Sequence, residues 1–337
     1  MYLPNSKWSW AFVLVTTIQA AVTLGLEAYV FAHFQLELKG NSGELTPSKT
    51  IPTFLTLYIF GFIYELVLVY DALRLKNTIQ VIGLCICNVG LLIYGAVQMD
   101  QIEEAILTLS QNGNIDFDVW GEMKPFLIAI PCIIGLGSTL MSIIAWKLYD
   151  EFAWTIYKHI SADLRMKRRY LTFQIYIALL KFDFFFFLGF TVQFVVIVTN
   201  REDIEFGLTL AAIPVTIIIL LMAAFWTRKE STLGMIIIIL LYFGALAYFL
   251  FKLVRMYQED FAPYYLPARR SLTFFAVITI ILILLTIGNA ITCTHNFNKG
   301  LKPHITRRKL ERSDEKNTTE MSSHMGHSPM PSRMTID

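Results

Sequence analysis

Eight apolar runs, near residues 8–34, 51–70, 78–98, 126–146, 172–199, 206–226, 233–252 and 271–293, dominate this 337-residue chain. Each approaches or exceeds the ~20 residues that a helix needs to cross ~30 Å of hydrocarbon. A segment in lipid must satisfy its own backbone donors and acceptors, and a helix does this without a neighbour. The pattern predicts an all-α polytopic transmembrane helical bundle of about eight spans over residues 1–298. A hydrophobic fraction of 55% with mean hydropathy +0.54 excludes a soluble domain of this length. From Lys299 to Asp337 the chain is basic, rich in Ser and Met, and poor in large apolar residues, which predicts a disordered cytosolic tail.

Charge orients the bundle. The connection Lys147 to Leu171 holds Lys147, Lys158, Arg165, Lys167, Arg168 and Arg169, whereas Met99 to Lys124 holds six acids against one Lys. With eight spans and a cytosolic start, 19 Lys and Arg fall on the cytosolic side and 8 on the other. Both termini are then expected in the cytosol. The first run follows Lys7 and is too long for the core of a signal peptide, so it reads as an uncleaved first span. Cleavage near Thr23-Leu-Gly25 would instead leave a seven-span chain of receptor type.

The connections 71–77, 200–205 and 227–232 are short enough to join only antiparallel neighbours. Pro125 suits the first turn of the fourth span, while Pro131 and Pro214 lie inside spans and favour kinks. Gly135, Ser138 and Ser142 share one helix face, which is expected to pack within the bundle. Phe182, Phe184 to Phe187 and Phe190 surround their helix and are expected to face lipid and neighbouring helices. Cys85, Cys87, Cys132 and Cys293 all lie in spans and read as small packing residues rather than a disulfide framework.

No catalytic motif, phosphate-binding loop or dinucleotide fingerprint occurs, so the chain reads as non-enzymatic, with no catalytic residue, cofactor or metal site expected. Met321, His324, Met325, His327 and Met330 carry soft donors suited to copper, but such composition is common in disordered tails. Nucleic acid is not an expected partner; the lipid bilayer is. After the fourth span, aromatics from Trp146 to Tyr157 precede the cluster Lys158, Arg165, Lys167, Arg168 and Arg169. That stretch reads either as a surface helix against anionic headgroups or as a solvated loop. Protein partners are not legible.

The polar residues that matter most lie inside spans: Glu27, Glu65, Lys181 and Asp183. An ionised group at mid-bilayer costs roughly 2.5–3.5 kcal/mol on insertion scales, so it turns inward, finds a partner or reaches the interface. Glu65 and Lys181 sit at similar depth and read either as a pair or, with a later start to the fifth span, as Glu65 alone in the span with Lys181 and Asp183 at the headgroups. Glu27 lies at a different depth. These residues support a role in membrane structure, trafficking or transport; a small-solute or ion transporter built around Glu65, Lys181 and Asp183 is one form of it. No internal repeat is evident.

Three stretches carry a family resemblance: Asp71-Ala-Leu-Arg-Leu-Lys-Asn-Thr-Ile-Gln80, His159 through Gln174, and Leu179 through Phe187. On these the chain resembles a fungal family of uncharacterised Golgi apparatus multi-pass membrane proteins, over roughly residues 8–300. The resemblance implies residence in the Golgi membrane and supplies no catalytic or binding residues.

Overall fold

The computed structural model describes residues 6–38, 48, 50–115, 118–159, 164–197, 204–258, 265 and 269–299. Among them are eight long helices: α1 (Lys7–Glu37), α2 (Thr50–Leu75), α3 (Thr78–Gln111), α4 (Asp118–His159), α5 (Leu164–Ile197), α6 (Ile204–Lys229), α7 (Thr232–Arg255) and α8 (Arg269–His295). All eight are long and apolar enough to cross a membrane. The tail from residue 300 onwards, with Asn317 and the Met and His run, lies outside the described residues.

Local chemistry sets the turns. At the end of α2, Lys76 adopts φ +48°. Its N–H donates to Leu73 O, and that of Asn77 donates to Ala72 O. The end of α6 repeats this with Glu230 at φ +56°, bonding to Thr227 O, and Ser231 bonding to Trp226 O. Both are Schellman closures, which satisfy the last carbonyls of a helix. Asn77 and Ser231 then cap the next helix by accepting from Gln80 N and Gly234 N. One side chain thus ends a turn and begins a helix, which is how two membrane hairpins fit into so few residues. Gly113, at φ +72°, closes α3 the same way.

Several helices are longer than their apolar runs. α3 continues to Gln111 and α4 begins at Asp118, so most of the acidic connection is helix. The basic connection is likewise largely helix, with α4 running on to His159 and α5 beginning at Leu164. Hydropathy reports where lipid ends, whereas a helix continues wherever its backbone bonds hold. Pro125 consequently lies inside α4 rather than in its first turn, and α4 and α6 run through Pro131 and Pro214.

α5 is the hub, packed against α2, α3, α6 and α8. Its Phe182, Phe185, Phe186, Phe187 and Phe190 are buried and Phe184 is half-buried, so the run faces neighbouring helices as expected and leaves little surface to lipid. Rings from different helices meet at centroid distances of 5.7 Å (Phe187–Phe249), 5.2 Å (Phe190–Phe249) and 5.7 Å (Phe60–Phe185). Leu14, Ile18, Leu221, Leu240 and Leu285 point outward and form part of the lipid-facing surface.

Candidate functional site

In α1, Thr16, Gln19, Thr23 and Glu27 recur at spacings of three and four and are all buried, while Leu14, Ile18 and Val22 are exposed. α1 is therefore polar inward and apolar outward, the reverse of a soluble amphipathic helix. Its stripe meets polar residues of α3 and α4. Gln19 Nε2 donates to Asn88 Oδ1 (2.7 Å), and Asn88 Nδ2 donates to Gln19 Oε1 (3.1 Å) and Ser138 Oγ (3.0 Å). Of the small face Gly135, Ser138 and Ser142 on α4, Ser138 is buried, Gly135 is half-buried and Ser142 is exposed, and the closest approach to α1 is at Gly137. A Cβ there would lie 1.7 Å from Gln19 Oε1. Further along the same helices, Gln98 Nε2 donates to Glu27 Oε1 at 2.7 Å.

Lys181 does not pair with Glu65. Its Nζ donates to Asp71 Oδ2 (2.5 Å) and Gln80 Oε1 (2.8 Å). Gln80 Nε2 in turn donates to Leu68 O (2.9 Å) and Asp71 Oδ2 (3.2 Å), so one glutamine links α2, α3 and α5. The reason is where α2 ends. The helix continues to Leu75, which carries Asp71 inside the bundle instead of leaving it in a connection and puts Glu65 ten residues, ~15 Å, from the helix end. The Lys181 and Asp71 side chains are 23% and 35% exposed, so the pair sits at the edge of the packed interior.

Glu65, 6% exposed, lines a small cavity between α2, α3 and α5 with Tyr64, Leu68, Cys87 and Phe185. The free space is about 20 Å³, enough for roughly one water. Among the described residues Glu65 Oε1 has no hydrogen-bond partner. Asp183 follows Lys181 by two, ~200° around the helix, and turns to α8, where Thr286 Oγ1 donates to its Oδ2 at 2.7 Å. The three residues expected to share one site are therefore divided, with Glu65 and Lys181 on the α2–α3 side of α5 and Asp183 on the α8 side.

Of the basic cluster, Arg165, Lys167, Arg168 and Arg169 occupy the first turns of α5, and Arg169 Nη1 donates to Lys299 O at 2.7 Å. The Lys158 side chain is outside the described residues. Cations at a helix N-terminus oppose the macrodipole, so helix stability does not explain their placement.

Of the polar stripe of α1 the sequence-derived candidates include only Glu27; Thr16, Gln19 and Thr23 are missing from them, as are Asn88, Gln98, Asp71 and Gln80. A search for charged residues passes over amides and hydroxyls. The signal was available as the spacing of Thr16, Gln19, Thr23 and Glu27 within an otherwise apolar run.

No family model matches the chain, and no solved structure matches it. It is 35% identical over 320 residues, 88% of its length and 90% of the other protein's, to the UPF0658 Golgi apparatus membrane protein of Schizosaccharomyces pombe. The long strings that suggested a fungal Golgi family thus have a full-length counterpart, and the chain belongs to the UPF0658 family of Golgi apparatus membrane proteins.

Proposed function

We propose that this protein is a non-enzymatic carrier of a small solute or ion across the Golgi membrane, with Glu65 as the binding group. The observation that carries the reading is a buried carboxylate facing a cavity with one oxygen unpaired among the described residues, while the nearby cation Lys181 is committed to Asp71 and Gln80. An intramembrane acid retained without a cationic partner is a costly feature that a purely structural helix does not need. Asp183, on the other side of α5, is not part of this site. A role in membrane structure or trafficking is the second reading, favoured by the tight interior, whose cavity holds about one water. A seven-span receptor is disfavoured, because cleavage near Gly25 would remove Gln19 and strip Asn88 of both its bonds to that side chain.

Flux of protons, alkali ions and a panel of small solutes into reconstituted vesicles tests the reading. Flux that falls at least tenfold in Glu65→Gln supports the carrier; absence of flux in the folded wild-type protein assigns the bundle to the structural reading.

Orientation and surface partners form part of the same proposal. The Lys and Arg bias supports cytosolic termini, and the cations at the start of α5 then face the cytosolic leaflet, where anionic headgroups are their natural counter-charges. On this orientation the sequon Asn317-Thr-Thr319 stays unmodified. A glycan-dependent mobility shift abolished by Asn317→Gln would reverse the tail and with it the even span count.

A further inference from the structure

Glu27 poses a separate problem from Glu65. It is fully buried, its Oε1 is held by Gln98, and its Oε2 has no partner among the described residues. Three neighbouring oxygens share that condition: Thr23 Oγ1, one turn before Glu27 on the same face of α1; Gln98 Oε1, on the amide bonded to Glu27; and Tyr58 OH on α2. The Tyr58 hydroxyl lies 2.8 Å from where a Cβ on Gly95 would stand, so this glycine lets the phenol reach α3 one turn before Gln98. It is also within electrostatic reach of the Glu27 carboxylate. Thr23 and Tyr58 are 0% exposed and Gln98 is 1% exposed.

Buried polar atoms are almost always paired, so four unpaired oxygens from three neighbouring helices, one of them the carboxylate's own Oε2, require a common explanation. We infer that Thr23, Glu27, Tyr58 and Gln98 bind a dehydrated monovalent alkali cation such as Na⁺. The donors are all oxygen, the set preferred by hard cations, and no Cys or His belongs to it. One carboxylate balances a single charge, whereas divalent sites recruit several. A proton on Glu27 would add one donor to the hydroxyls of Thr23 and Tyr58, whereas a cation engages all four oxygens together. The inference is independent of the carrier reading, since it concerns a different carboxylate and requires only binding.

Thermal unfolding of the full chain in detergent, with NaCl exchanged for choline chloride at constant ionic strength, tests it together with equilibrium binding of radioactive Na⁺. Sodium at a hundred times its dissociation constant is expected to multiply the folded-to-unfolded ratio by about a hundred. One ion should bind per chain. Glu27→Gln should abolish both effects, and Gly95→Ala, which keeps every donor but displaces Tyr58, should weaken them at least tenfold. If Glu27→Gln fails to fold, Tyr58→Phe serves in its place. Glu65→Gln should leave Na⁺ binding intact, so this site and the carrier reading fail separately. Equal unfolding in sodium and choline with no bound Na⁺ overturns the site. So does stabilisation by acid alone without bound Na⁺, which would make Glu27 merely protonated.

Discussion

The two halves of the bundle are held together by different means. Between α1, α3 and α4 the contacts are amides and hydroxyls, with Gln19, Asn88 and Ser138 at one level and Glu27 and Gln98 at another. Among α5, α7 and α8 the contacts are mainly rings and aliphatic chains, with Phe187 and Phe190 set against Phe249, and Phe275 buried beside Gly189. Lipid tails are as apolar as leucine, so the hydrophobic effect does not bring helices together inside the membrane. One half relies on directional bonds that cannot be made to lipid, and the other on shape. The first specifies which helix face meets which; the second contributes more adhesion per side chain.

The sharpest break in this comparison is Phe249→Ala. Phe249 is fully buried and touches two rings of α5, so truncation leaves a void that neighbours fill only in part, at a cost of about 3–5 kcal/mol by analogy with soluble cores. Leu240→Ala on the lipid-facing side of the same helix, 65% exposed, should be near neutral. Detergent unfolding of both variants measures the difference. Equal losses would mean that α7 is not seated on α5 through this face.

The number and order of the helices were legible from hydropathy alone, because span length is a physical requirement of the bilayer. Helix ends were not. The extension of α3 mixes acids and amides with Ile102, Ile106 and Leu109 and reads as loop until the closure at Gly113, while the caps at Asn77 and Ser231 mark the starts of α3 and α7. The buried charges were visible as anomalies, but their partners were not. Choosing Asp71 over Glu65 for Lys181 depends on the rotation of α2 and α5 about their axes, and an apolar helix carries no sequence signal for that angle. How much of the phenylalanine run meets neighbours rather than lipid was hidden for the same reason. A helix lined with phenylalanine on all sides looks lipid-facing until its central position among four others is known.

The polar half is expected to show coupling rather than large single losses. Asn88→Leu removes bonds to Gln19 and Ser138, yet interhelical hydrogen bonds in membranes average only ~0.6 kcal/mol and reach ~1.7 kcal/mol, because the separated helices also find partners. A double-mutant cycle of Gln19→Leu with Asn88→Leu should give a coupling energy in that range. A value near zero would leave Gly137, whose missing Cβ admits Gln19, as the main determinant of the contact between α1 and α4.

The smallest expected effect lies at the membrane surface. Arg165, Lys167 and Arg168 each contribute about 1 kcal/mol at most to attraction for an anionic leaflet, and salt screens it within a Debye length. In mixed micelles, anionic phospholipid should stabilise the wild-type protein more than the Arg165→Gln/Lys167→Gln/Arg168→Gln variant, and high salt should remove the difference. The Arg169 guanidinium donates to the carbonyl of Lys299. A backbone carbonyl is not a mobile counter-ion, so the loss in Arg169→Gln should persist in neutral lipid and at high salt. If Arg169→Gln instead followed the other three, that bond would add nothing and all four cations would act as one electrostatic surface.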